Sequence, residues 1–221
     1  MNYITNLPTN GTFNVTAYFG QENVKYWKNG HKGIDITGDK SLYSICDGTV
    51  KVVGWDADGW GQYVSIEPTG FPRMRFILCH MVKDSVKVKV GQKVSRTTLL
   101  GTMGTTGNSS GVHVHVECRI DNVSVDPTAY LGIANKKANG LNSTDFKTTE
   151  AESNKILQQM LDKKDGKSTS TKDYKSLYEN EQKKVNELNS EVMGLSAQIK
   201  DLSAEIDSLN KKIKNAKAAL K

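Results

Sequence analysis

The sequence predicts a mainly β domain of antiparallel strands, followed by a C-terminal α-helical coiled coil. In residues 1–132, short segments rich in β-branched and aromatic residues alternate with turn signals, and all three tryptophans fall there. From residue 185 onward, apolar residues instead recur in steps of three and four, which is the period of a helix. These patterns predict a first domain at 1–132, a polar linker at 133–173 with a short helix at 150–163, and a coiled-coil helix at 174–221.

The strands of the first domain are short and evenly spaced, which is typical of antiparallel sheets. The pair Asp47-Gly48 indicates a turn or bulge inside the longest of them. The glycine-rich run at 102–111 indicates a flexible loop that enters the last strand. Strands are predicted at 33–37, 42–54, 62–67, 74–80, 98–101 and 112–119.

The C-terminal pattern is a narrow apolar stripe of two positions in seven. One position is mostly Val or Ile and the other mostly Leu, which favours a parallel two-stranded coiled coil. An amphipathic helix folded back onto the β domain is the alternative, and an unbroken narrow stripe argues against it. The charges beside the stripe are mixed. The sequence therefore predicts association of the helix more firmly than it predicts how many helices associate. The stripe consists of Val185, Leu188, Val192, Leu195, Ile199, Leu202, Ile206, Leu209, Ile213, Ala216 and Leu220.

Composition excludes several classes of protein. The net charge is +6, and the basic residues are not interleaved with aromatics, so nucleic-acid binding is not indicated. No stretch approaches the about 18–20 apolar residues of a membrane span. The three cysteines, Cys46, Cys79 and Cys118, are far apart and odd in number, which predicts buried thiols and no disulfide framework. On a strand, Cys79 would face away from its neighbour His80.

The four histidines lie in three short motifs that together suggest one metal site. His31 is four residues before Asp35, and His113 and His115 are two apart on a predicted strand, so that they share a face. His80 ends another predicted strand. Imidazole and carboxylate ligands with one open position are typical of catalytic zinc, Zn2+, which lowers the pKa of a water and polarises a carbonyl. One histidine of the pair can bind metal while the other faces water or substrate. The sequence therefore favours a hydrolytic metalloenzyme.

The order of these motifs resembles the lysostaphin-type (LytM-like) zinc endopeptidases, which cleave peptide bonds of bacterial peptidoglycan. The resemblance runs from about Tyr18 to Leu131. Its motifs are YFG at 18–20, HKGIDI at 31–36, DGTV at 47–50, GWGQYVSIE at 59–67, His80, VKVGQKV at 88–94, LLGTMGTTGNSSG at 99–111, HVHVE at 113–117 and VDP at 125–127.

The resemblance implies that His31, Asp35 and His115 hold zinc in a groove formed by antiparallel sheet. It also implies that His80 and His113 are the catalytic imidazoles, which activate water and stabilise the tetrahedral intermediate. Departures such as Gln21 after Phe-Gly remove no ligand and bear on substrate preference. Glu117 shares the face of His115, and either a contact with that histidine or an exposed position is compatible with the sequence.

The N-terminal segment at 1–13 has neither the basic nor the apolar part of a secretory signal. With the resemblance, this suggests a phage product that is made in the cytoplasm and acts on the cell wall, either virion-associated or released by a holin. Peptidoglycan is the expected substrate, with self-association through 185–220 or docking to a larger phage assembly. The alternative is a non-catalytic wall-binding or structural phage tail component that assembles through the coiled coil.

Overall fold

The structure, a computed structural model, describes residues 4–23 and 27–167 together with short stretches between 194 and 213. The chain divides into two units, Met1–Lys167 and Ser168–Lys221. Within the described residues, no helix is long and apolar enough to cross a membrane.

The first unit is built mainly from antiparallel strands. In chain order its described strands are β1 (Ile4–Thr5), β2 (Thr12–Ala17), β3 (Ile34–Thr37), β4 (Ser41–Tyr43), β5 (Gly48–Asp56), β6 (Gly61–Pro68), β7 (Met74–Met81), β8 (Lys93–Val94), β9 (Leu99–Thr102), β10 (Val114–Ile120), β11 (Val123–Val125), β12 (Ala138–Asn142) and β13 (Lys147–Thr148). The described helices of this unit are α1 (Thr128–Leu131) and α2 (Glu150–Lys164).

Nine of these strands form one sheet in the order β12-β2-β3-β10-β7-β6-β5-β8, with β11 paired to β10. Two small sheets, β1-β13 and β4-β9, accompany it. The predicted strand at 42–54 is therefore two strands, β4 and β5, which belong to different sheets. The turn signal at Asp47-Gly48 marks the boundary between them, because the chain leaves one sheet there and enters the other.

Side chains of the central strand β10 point alternately into the hydrophobic core and onto the opposite face of the sheet. Val114 and Val116 belong to the hydrophobic core, and so does Ile34 of the neighbouring β3. His115 lies on the other face, directly opposite Asp35 of β3. Because side chains alternate along a strand, the same segments supply both the apolar core and the polar site.

Strand β7 contains an irregularity at His80. Leu78 pairs with Val64, whereas Met81 pairs with Gln62, so β7 uses one residue more than β6 over this stretch. His80 has φ 61, the left-handed conformation that a residue other than glycine rarely adopts. Backbone strain of this kind costs on the order of 1–3 kcal/mol and is often found at functional sites.

The three cysteines are free and buried, as predicted, and burial raises the pKa of each thiol. The predicted orientation of Cys79 is wrong, however. Cys79 pairs with His115 and therefore lies on the face that carries the polar site. The bulge at His80 breaks the alternation on which that prediction relied, so that neighbouring residues of β7 need not point to opposite faces.

Residues 133–149 are more ordered than the predicted polar linker. They contain β12, a short 3-10 turn at Ser143–Asp145 and β13. Phe146 packs edge-on against Phe13 of β2, with ring centroids 5.8 Å apart. This apolar contact attaches the segment to the domain, although the overall composition of the segment is polar.

Helix α2 follows at Glu150–Lys164, where the sequence predicts a helix at 150–163. Thr149 and Glu152 form a capping box at its N-terminus, which satisfies backbone N–H groups that the helix leaves unpaired. Leu157 and Met160 are buried against the core.

The described residues of the second unit are helical. Five members of the predicted apolar stripe are among them and are 52–64% exposed: Leu195, Ile199, Leu202, Ile206 and Ile213. The other six members, and residues 174–193 generally, lie outside the described residues. The coiled coil therefore stays a prediction.

Candidate metal centre

A cleft of about 530 Å³ crosses the polar face of the large sheet and contains all four histidines. Strands β3, β10 and β7 provide its floor through Asp35, His115 and His80. The loop at 108–112 provides part of its wall. The cleft thus brings together all five residues that the sequence assigns to the site.

Three ligand-type atoms converge at the bottom of this cleft. Nε2 of His31 lies 2.9 Å from Nδ1 of His115 and 3.2 Å from Oδ1 of Asp35. Nδ1 of His115 lies 2.8 Å from the same Asp35 oxygen. All three side chains are buried, and the three atoms meet the requirements of a metal site. Tetrahedral ligands at zinc–ligand distances of 2.0–2.1 Å are about 3.3 Å apart, so small outward shifts would accommodate zinc.

The remaining ring nitrogens of His31 and His115 are held by oxygen acceptors. Nδ1 of His31 donates to the carbonyl of Tyr18 at 3.1 Å, and Nε2 of His115 donates to Oε1 of Glu117 at 3.2 Å. Each ring is therefore fixed with its other nitrogen towards the convergence point. Metal-binding histidines in proteins are oriented in this way.

A glycine makes room for this arrangement. A Cβ at Gly33 would overlap the carbonyl of Val116 and the ring of His115. Gly33 lies between His31 and Asp35, where any larger residue would displace the His115 ring. The glycine of the HKGID motif is thus explained by close packing against the histidine of the next strand.

The charged groups at this convergence point shift one another's pKa values. Burial raises the pKa of Asp35, but hydrogen bonds with His115 and His31 outweigh it and hold that pKa well below its ordinary value. Burial lowers the pKa of His115, but Asp35 and Glu117 outweigh it and raise that pKa to about 9. His115 therefore carries a proton between two carboxylates at neutral pH, and metal binding at this ring must displace that proton.

His80 lies beside this centre and is held differently. Its Nδ1 donates to the carbonyl of Thr106 at 2.8 Å, which leaves Nε2 with a free lone pair. Burial, followed by the charge of His113, lowers the pKa of His80 to about 4. His80 is therefore neutral over the physiological range and can accept a proton at Nε2.

His113 completes the group at the edge of the cleft. Its Nδ1 donates to the carbonyl of Gly111 at 2.8 Å, and its Nε2 lies 3.6 Å from Oδ1 of Asp35. The His113 and His80 rings are 4.7 Å apart, so the two imidazoles face one volume next to the convergent atoms.

The loop that supports His80 is anchored at Thr106. The Thr106 hydroxyl donates to the carbonyl of Met81 at 2.6 Å and accepts from the N–H of Gln62 at 3.0 Å. Gly107, with φ +72, packs so closely that a Cβ would overlap the backbone of Gly61. The run at 102–111, predicted to be a flexible loop, is thus tied to two strands near His80.

Sequence reasoning missed Thr106 because it acts through a backbone carbonyl, which any residue type supplies. Glu117, for which the sequence left two interpretations open, is buried and contacts His115.

The family model of peptidase family M23 matches residues 29–127. The lipoprotein NlpD of Yersinia enterocolitica is 31% identical over 101 residues, which cover 44% of this chain and 97% of that protein. The murein hydrolase activator NlpD of Salmonella dublin is 32% identical over 112 residues, covering 50% of this chain and 28% of that protein.

A third relative is the glycyl-glycine endopeptidase ALE-1 of Staphylococcus capitis, 27% identical over 130 residues that cover 54% of this chain and 35% of that protein. The chain thus spans less than a third of the length of the Salmonella relative, whereas it spans nearly all of the Yersinia one. Residues 29–127, which the family model matches, contain the four histidines and strands β3 to β11.

Proposed function

The chain belongs to peptidase family M23, and on that premise we propose that it is a zinc-dependent endopeptidase that hydrolyses peptide bonds of bacterial peptidoglycan. The bond would lie in a cross-bridge or a stem peptide. The observation that carries the proposal is the convergence of His31, Asp35 and His115 within 3.2 Å of one another, with two further imidazoles beside them.

In this proposal, His31, Asp35 and His115 hold the zinc ion. When bound, zinc would polarise the carbonyl of the scissile peptide and lower the pKa of a water molecule towards neutrality. The chain's own contribution is to aim the three ligand atoms at one point and to satisfy the opposite ring nitrogens with Tyr18 and Glu117.

His80 serves as the general base in this scheme. Thr106 fixes its ring so that the unprotonated Nε2 faces the cleft, and the neutral imidazole takes a proton from the attacking water. The same nitrogen then returns that proton to the departing amine.

His113 serves to stabilise the negative charge that develops on the carbonyl oxygen. Its ring is held at Nδ1 by Gly111, and a protonated Nε2 can donate towards that oxygen. This Nε2 lies 3.6 Å from Oδ1 of Asp35, next to the convergent ligand atoms.

The direct test uses purified protein on isolated cell walls, with zinc, with a chelator, and with zinc restored. We expect new amino termini in the first and third samples and none in the second. Mass spectrometry of the released fragments then identifies the bond. Walls that release no amino termini when zinc is present would refute the proposal.

A second candidate is a non-catalytic wall-binding or structural role. Its support is the similarity to the Salmonella relative, a murein hydrolase activator. Metal analysis separates the two, because the catalytic proposal requires about one zinc per chain at neutral pH. A protein that binds cell walls but retains no zinc belongs to the second class.

We further propose that the C-terminal unit self-associates, or else docks on a larger phage assembly. The support is the exposure, 52–64%, of five apolar side chains at heptad spacing in helical conformation. Light scattering of residues 170–221 should give an oligomer. A monomer at high concentration would refute self-association, and absence from purified virions would refute the phage assembly.

A further inference from the structure

Glu117 is a buried carboxylate at the centre of a small polar network next to the cleft. It is 3% exposed and lies on β10, two residues after His115 and on the same face. Its Oε1 accepts from Nε2 of His115 at 3.2 Å and from the indole N–H of Trp60 at 3.0 Å. Its Oε2 accepts from Nε of Arg119 at 2.7 Å. Both oxygens are thus fully engaged.

The partners of Glu117 also contact each other. The Arg119 guanidinium lies over the Trp60 ring, 4.8 Å from its centroid. Trp60 is half-buried, lines the cleft and packs edge-on against Tyr63 at 5.1 Å. Because Trp60, Glu117 and Arg119 form a closed triangle, none of the three can turn without breaking a contact with the other two.

We propose that Glu117, clamped by Trp60 and Arg119, is the positioning residue that sets the metal affinity of His115. The inference rests on the proposed zinc site, since it concerns how one ligand of that site is aimed. With Nε2–H held by Glu117, the ring presents Nδ1 to Asp35 and His31. Without that acceptor, rotation of the ring would cost less and the ligand geometry would be lost. Removal of such a partner typically weakens metal binding by about 10- to 100-fold.

A purely structural ion pair would behave differently, and the chain contains a matched example. Glu67 of β6 pairs with Arg75 of β7 at 2.8 Å and with Lys51 of β5 at 3.4 Å. It is a strand carboxylate with an arginine partner, like Glu117, but it does not line the cleft. Glu67→Gln therefore reports what the loss of a cross-strand ion pair does when no metal ligand is involved.

The test variant is Glu117→Gln, which preserves size and shape. Both carboxylate oxygens of Glu117 accept hydrogen bonds, whereas glutamine has only one acceptor oxygen. The NH2 group of the glutamine must therefore face an N–H donor of His115 and Trp60 or of Arg119. Trp60→Phe is the second variant; it keeps Glu117 and an aromatic ring at position 60 but removes the indole donor. Zinc affinity is measured at pH 7 by competition with a chromogenic chelator, and folding of each variant is checked by circular dichroism.

We expect Glu117→Gln to weaken zinc binding by about 10-fold or more, Trp60→Phe by about 3-fold, and Glu67→Gln by less than 2-fold. If folded Glu117→Gln binds zinc within 2-fold of the parent, the inference is overturned. Should Glu117→Gln fail to fold, Trp60→Phe decides, and an unchanged affinity there overturns it. A parent protein that binds no zinc would instead overturn the proposed function.

Discussion

Substitution of His80 should change how the stability of the metal-free protein depends on pH. Asparagine is the replacement of choice because it tolerates the positive φ of this position better than most residues. In the folded protein the pKa of His80 is lowered to about 4, first by burial and then by the charge of His113. In the unfolded chain the pKa of a histidine is about 6.5.

The sign and size of the effect follow from these two values. The neutral form of His80 is favoured by folding, so its contribution is fully present above pH 6.5. As the pH falls below 6.5, the unfolded chain binds a proton that the folded protein does not bind, and stability is lost down to about pH 4. At pH 5 the accumulated loss is about 2 kcal/mol, and at pH 7 it is only about 0.2 kcal/mol.

Urea unfolding of zinc-free protein at pH 7 and pH 5 measures this directly. Tryptophan fluorescence is a suitable signal because Trp27, Trp55 and Trp60 all lie in the first unit. Between pH 7 and pH 5 the parent should lose about 2 kcal/mol more of its unfolding free energy than His80→Asn, since titrating groups that do not interact with His80 cancel in the difference. An equal loss in both proteins would show that His80 is not held neutral by the fold.

Two further substitutions probe the scaffold of the site. Gly107→Ala should abolish wall hydrolysis and cost more stability than Gly70→Ala, because both have positive φ but only Gly107 lacks space for a Cβ. The conformational cost alone is about 1–2 kcal/mol, so an equal effect in urea unfolding would exclude the packing argument. Leu157→Ala, in the buried face of α2, should destabilise the first unit by about 3 kcal/mol while zinc affinity stays unchanged. A loss of zinc affinity at a temperature where that variant is folded would contradict the separation of α2 from the metal centre.

The sequence predicts the strands that carry the site because their apolar residues alternate with polar ones. Ile34 and Ile36 flank Asp35, and Val114 and Val116 flank His115. Alternation places the polar members on one face, and the antiparallel register then sets Asp35 opposite His115. The predicted metal ligands thus converge because polar and apolar residues alternate along each strand and because the two strands pair in this register.

Features that depend on distant partners are not visible in the sequence. The bulge at His80 is a register shift between β7 and β6, and no residue type near His80 indicates it. The short strand β1 pairs with β13 from the far end of the domain, so neither segment has a strong pattern of its own. Thr106 orients His80 by its carbonyl, which carries no residue signature.

The division of roles among the histidines is the central claim, and a paired measurement of zinc content and wall hydrolysis tests it most directly. His80→Asn should retain about one zinc per chain but lose turnover, because His80 supplies a proton acceptor and no ligand atom. His31→Ala should lose both, because it removes one of the three convergent ligand atoms. If the two variants keep zinc equally or lose it equally, the division is wrong.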